Sequence, residues 1–175
     1  MISFLEEIMP RSIHRRIPGM ILAASLFTAF SCGREIQTKI EIQAPRAQVW
    51  KVFADFDSHK DWNPFIRSFR GTPEKGGRIR VLLKTPGKEA MEFQPTVLGF
   101  KEGRLLEWEG RLFLPGLFTG RHRFEFRELP GGRTLFLHGE SFSGILVPFI
   151  KTAAFRQAFL EMNQALKKRV EKERN

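Results

Sequence analysis

The sequence has no tyrosine and only one cysteine among its 175 residues. A single thiol cannot close an internal disulfide, so packing and hydrogen bonds must hold the folded part together. With 18 Phe and 3 Trp but no Tyr, the aromatic set carries almost no polar handles. Such side chains fill a dense core or line an apolar cavity. HxH, HExxH and CxxC spacings are missing, and so is a nucleophile elbow around any serine. Those absences leave no motif for a metal, a cofactor or nucleophilic catalysis, and none of the three is expected. No internal repeat or low-complexity tract interrupts the chain. The length suits one domain, and 42% hydrophobic residues exclude wholesale disorder.

Acidic residues are few beside basic ones, 19 against 29, for a formal charge of +10. That excess invites a nucleic-acid reading. The distribution argues against it, because Arg67, Arg70, Arg78, Arg80, Arg104, Arg111, Arg121, Arg123 and Arg127 mostly alternate with apolar residues. Alternation of this kind marks the solvated face of an antiparallel sheet. The expectation is a monomer with no nucleic-acid partner.

Residues 1–31 read as a signal-like segment. Arg11, His14, Arg15 and Arg16 precede an apolar run from Ile17 to Phe30, and small residues surround Cys32. The run is shorter than the ~20 residues of a comfortable membrane span. Cys32 directly after Ser31 resembles a bacterial lipobox, although Ala29 and Phe30 are unusual there. This predicts lipidation at Cys32, membrane association through it, and a place in the cell envelope. The alternative is a mis-called start ahead of a cytoplasmic domain.

Residues 35–173 form the predicted folded domain. Glu35 to Gln43 alternates with Ile36, Ile40 and Ile42 on one face, which predicts a strand. Ala44-Pro45 opens a helix with Val49, Trp50, Val52, Phe53 and Phe56 on its apolar side, and a second short helix is predicted over 58–62. Six further strands are predicted over 65–70, 78–84, 90–98, 104–111, 118–128 and 134–142, separated by Pro and Gly turns. From Pro148 to about Glu173, Phe155, Phe159, Met162, Leu166 and Val170 recur at helical period. The class is α+β: a seven-stranded curved antiparallel sheet, two short helices and a long C-terminal helix over its concave face.

Three stretches carry a family resemblance: "IEIQAPRAQVWKVFADFDSHKDWNPFIRS" from Ile40 to Ser68, "HGESFSGILVPF" from His138 to Phe149, and "FRQAFLEMNQALKKRVE" from Phe155 to Glu171. In this order they resemble the START/Bet v1-like (SRPBCC) superfamily, in its polyketide cyclase/dehydrase-like branch. The resemblance implies a helix-grip fold with a deep, largely apolar cavity between sheet and C-terminal helix. It also implies hydrophobic small-molecule ligands, with enzymatic activity in a minority of members. It transfers fold and ligand class, and no mechanism.

Within "HGESFSG", period two puts His138 and Glu140 on one face with Phe136 and Phe142. One reading makes them a general acid/base pair acting on a bound carbonyl. The other makes them satisfied polar groups in a cavity wall, partnered by His122, Arg104 or neighbouring arginines. A metal held by His122, His138 and Glu140 has no motif behind it. Trp62, Trp108, His122, Phe124, His138 and Glu140 are candidate ligand-binding residues, together with Phe142, Phe155, Phe159 and Met162. Plain core packing draws on the same residue types. The leading expectation is a carrier or sensor for a lipid, polyketide-like or aromatic molecule. The alternatives are a cyclase or dehydratase using His138 and Glu140, and a protein-interaction module.

Overall fold

Ile36 and Ile42 face inward with Thr38 between them along β1 (Arg34–Ile42), the first element of the computed structural model. The structure describes residues 33–112, 114 and 116–172. The signal-like segment and Cys32 lie outside them. Pro45 caps α1 (Arg46–Ala54), which buries Val49, Trp50, Val52 and Phe53. A 3-10 turn leads into α2 (His59–Trp62). Six strands were expected next and seven follow: β2 (Ile66–Arg70), β3 (Arg80–Leu83), β4 (Met91–Phe93), β5 (Thr96–Lys101), β6 (Leu105–Leu112), β7 (Phe118–Leu129) and β8 (Arg133–Ser143). The chain closes with α3 (Thr152–Lys172).

The strands form two sheets, one of order β1-β8-β7-β6-β5 and one of order β2-β3-β4. This corrects the expected single sheet of seven. The strand expected over 90–98 divides at Pro95, which lacks the N–H a ladder needs. Its first part closes the small sheet as β4, and its second part opens the edge of the large one as β5. Backbone bonds stitch the sheets at that corner: Gly76 N–H to Val97 carbonyl at 2.8 Å, Val97 N–H to Gly77 carbonyl at 2.9 Å, and Ile79 N–H to Pro95 carbonyl at 3.1 Å.

α3 lies across the concave face with Phe159, Met162, Leu166 and Val170 fully buried. At one end of the grip α1 supplies a plug. Trp50 meets Phe126 edge-on at 5.2 Å between ring centres, and Phe53 sits 5.0 Å from Phe126 and 5.1 Å from Phe124. This end is solid aromatic core, which absorbs much of the unusual Phe content. The other end, beyond Phe159, stays open. Gly144 takes φ +122° there, and a Cβ at that position would run into the Leu117 carbonyl. Only glycine lets β8 turn so tightly against the β6–β7 connection.

On the outer sheet face the arginines expected to be solvated are paired. Arg121 and Arg111 reach Glu109 at 3.2 and 2.7 Å, and Arg123 and Arg127 reach Glu125 at 3.0 and 2.7 Å. Exposed pairs of this kind contribute little each.

Candidate functional site

The open end of the grip encloses a cavity of about 230 Å³. Three elements wall it. The large sheet contributes Trp108, Phe118 and Phe142, the small sheet Val81, Leu83 and Met91, and the first turn of α3 Ala154 and Phe155. Lys88, Glu89 and Lys151 also border it. Gly110 and Gly120 lie opposite each other on β6 and β7, so the sheet presents no side chain at this point. Into that gap reaches the carboxyl of Glu140, with Oε1 so close to Gly120 that a Cβ there would meet it at 2.6 Å.

Register explains the company Glu140 keeps. In the β7–β8 ladder His122 stands opposite Glu140 and Phe124 opposite His138. The His122 Nδ1 lies 3.5 Å from Glu140 Oε2, while its Nε2 lies 2.7 Å from Nε2 of His138. On the far side His138 Nδ1 is 2.9 Å from Asn163 Oδ1 of α3. Asn163 donates from Nδ2 to Thr38 Oγ1 at 2.9 Å, and the Thr38 hydroxyl donates to the His138 carbonyl at 2.9 Å. Thr38, His122, His138 and Asn163 are all buried. A polar thread therefore runs from β1 through α3 and two histidines to the cavity floor.

Rings enclose the thread. His138 stacks on Phe159 at 4.1 Å, and His122 stacks against Trp108 at 5.1 Å and Phe65 at 5.7 Å. In such surroundings the neutral forms win. Burial holds His122 down to about 3 and His138 well below the usual imidazole range, and it pushes the Glu140 carboxyl up to about 8. Near neutral pH the acid is protonated and both histidines are uncharged. The close approach of the two imidazole nitrogens leaves room between them for a proton and nothing larger. Among the described residues no group of three or more His, Cys, Asp or Glu side chains is arranged to hold a metal ion.

The residues singled out from sequence divide by position. Trp108, Glu140, Phe142 and Phe155 line the cavity. His122, His138, Phe124, Phe159 and Met162 are buried beside or beneath it and form no part of its wall. Trp62 lies apart from it. It donates Nε1–H to Ser58 at 3.3 Å and packs edge-on against His59, because α2 is too short to carry it to the sheet.

The expected arginine partners of Glu140 are a second correction. Arg121, Arg123 and Arg127 occupy odd positions of β7 and point to the outer face, while Arg104 sits exposed in the β5–β6 turn. His138 does not touch Glu140 directly either, since His122 stands between them.

Sequence reasoning passed over Thr38, Asn163 and His59. Asn163 had a signal: four residues after Phe159 and three before Leu166, it is a polar residue inside an apolar stripe. His59 is structural. Its Nε2 donates to the Phe53 carbonyl at 2.7 Å and its Nδ1 accepts from Asn63 at 3.3 Å, while Asn63 Oδ1 accepts from the Phe65 and Ile66 backbones.

Comparisons with known proteins agree with this geometry. No curated protein sequence matches the chain significantly. Among solved structures it is similar to the ZhuI aromatase/cyclase from Streptomyces sp. R1128, with a TM-score of 0.66 at 15% identity over 82% of this chain and 96% of that one. It also resembles a START superfamily protein from Mycobacterium smegmatis, with a TM-score of 0.60 at 17% identity over 79% and 98% of the two chains. A third neighbour is norcoclaurine synthase from Thalictrum flavum in complex with dopamine and hydroxybenzaldehyde, with a TM-score of 0.60 at 13% identity over 91% and 99%. At such identities the likeness concerns the fold. The sequence profile of the polyketide cyclase/dehydrase and lipid transport family matches residues 34–171, nearly all of the described chain, and the protein belongs to that family.

Proposed function

We propose that the protein binds a small hydrophobic molecule, aromatic or lipid-like, in the cavity between the two sheets and the start of α3, and acts as a carrier or sensor. The observation that carries this reading is an open cavity of about 230 Å³ in a protein whose other end is packed solid. Among the described residues its wall is apolar except for Glu140, Thr85, Lys88, Glu89 and Lys151. Cavities for drug-sized ligands run from about 300 to 1,000 Å³, so the occupant is small. The family's association with hydrophobic ligands and the aromatic molecules held by norcoclaurine synthase point the same way.

Ala154→Trp tests this reading. Ala154 is half-buried on the first turn of α3, where an indole can fill the cavity without disturbing the packed end. Naphthalene binding, followed by ligand-observed NMR, should weaken at least tenfold while the unfolding midpoint moves little. Unchanged naphthalene binding in the variant would place the site elsewhere.

A further inference from the structure

The thread behind Glu140 has a direction, and that direction selects the ligand's polar group. The Thr38 hydroxyl gives its one proton to the His138 carbonyl, so the Asn163 atom facing Thr38 must be the donating Nδ2. Asn163 Oδ1 is thereby turned to His138 Nδ1, which must carry N–H. A neutral His138 then has a lone pair on Nε2, and His122 Nε2 must donate across the 2.7 Å contact. What remains on a neutral His122 is a lone pair on Nδ1, facing Glu140 Oε2 at 3.5 Å.

One proton belongs to that last gap, and a small rotation of the carboxyl closes it to a hydrogen bond. Whether the proton sits on Oε2 or on Nδ1, Glu140 Oε1 is left as an acceptor. Among the described residues Oε1 has no hydrogen-bond partner, and it lies over Gly120 at the cavity wall. Lys88, Glu89 and Lys151 border the same cavity, and among the described residues no further charged side chain besides Glu140 lines it.

Resting on the cavity reading above, we propose that Glu140 is the recognition point for a hydroxyl-bearing apolar ligand, an aromatic or aliphatic alcohol, whose O–H donates to Oε1. A ligand group that can only accept, such as an ether, would meet an acceptor there and leave both groups unpaired in an apolar wall. Sites that hydrogen-bond a ligand hydroxyl reject the analogue that lacks it far more strongly than apolar pockets discriminate by size.

The test compares 2-naphthol with 2-methoxynaphthalene by calorimetric titration near neutral pH. Wild type should bind the naphthol at least tenfold more tightly. Glu140→Gln should retain that preference, because its amide N–H can donate to His122 while its carbonyl still faces the ligand. Glu140→Leu should erase it. If Glu140→Leu does not fold, Gly120→Ala serves instead, since its methyl pushes on Oε1 and should cut the preference. Equal binding of the two compounds by wild type, or a preference that survives both Glu140→Leu and Gly120→Ala, would overturn the assignment and leave the cavity reading intact. Wild type that takes up naphthalene but not 2-naphthol also overturns it. Failure to bind any of the three defeats the cavity reading, and this inference with it.

Discussion

Phe159→Ala should destabilise the protein by about 4 kcal/mol, the largest loss expected from a single side chain. Phe159 is fully buried in the N-terminal half of α3 and forms no part of the cavity wall. Its ring stacks on His138 at 4.1 Å and meets His122 and Phe65 edge-on at 4.9 and 5.3 Å. Truncation removes the transfer free energy of a phenyl group and leaves a void among rings that cannot all collapse into it. It also lets water approach two histidines that burial keeps neutral. Denaturant unfolding measures the loss directly. A loss below about 1 kcal/mol, with naphthalene affinity altered instead, would show that Phe159 belongs to the wall of the cavity.

Folding stability should peak near pH 6.5 and fall on both sides. His59, His122 and His138 have native pKa values lowered by burial, His59 and His122 to about 4 and about 3. Their unfolded forms take up protons as pH drops below the ordinary imidazole value of about 6.5, and the native forms do not. The stability they contribute is therefore complete above 6.5 and is lost toward acid. Glu140 works in the opposite sense. Its native pKa is raised to about 8, so from the ordinary carboxyl range of about 4.5 up to 8 the native state holds a proton that the unfolded chain has released. Stability from this group is complete below about 4.5 and declines as pH rises toward 8.

Between about 4.5 and 6.5 three histidines oppose one acid, and the net slope is an increase on the order of 2 kcal/mol per pH unit. Above 6.5 only Glu140 acts, and the slope reverses to a loss of about 1 kcal/mol per unit. Urea midpoints across this range check the profile. Glu140→Gln should flatten the alkaline limb and steepen the acid limb, because no acid then opposes the three histidines between about 4.5 and 6.5. A wild-type curve that stays level or rises between pH 6.5 and 8 would contradict a Glu140 that holds its proton in the native state.

Much of the fold could be read from periodicity, because each element buries one face and hides nothing else. The alternation through His122, Phe124 and Phe126 on β7 and through Phe136, His138 and Phe142 on β8 matches the inward faces observed. The stripe on α3 is buried at the spacings read from sequence. The split at Pro95 was missed because alternation continues across it, while the backbone N–H that proline lacks is what ends the ladder.

The site was less legible for a geometric reason. Periodicity says which face a residue occupies and says nothing about how far along that face it lies. Phe155 and Phe159 share a stripe, yet one lines the cavity and the other sits in solid core, because α1 fills only one end of the grip. His138 and Glu140 were placed on the right face, but His122 stands between them. That follows from strand register, which no single strand encodes. Asn163 and Thr38 come from elements 125 positions apart and could be joined only by folding.

The most direct test of the central claim, a ligand site at the open end of the grip, is amide chemical-shift mapping with naphthalene. The account predicts that the largest shifts fall on Leu83, Gly110, Gly120, Ala154 and Phe155, with little change at Trp62, at Arg104 or along the outer face of β7. Shifts concentrated on that outer face or around α2, with the five cavity residues unmoved, would contradict it.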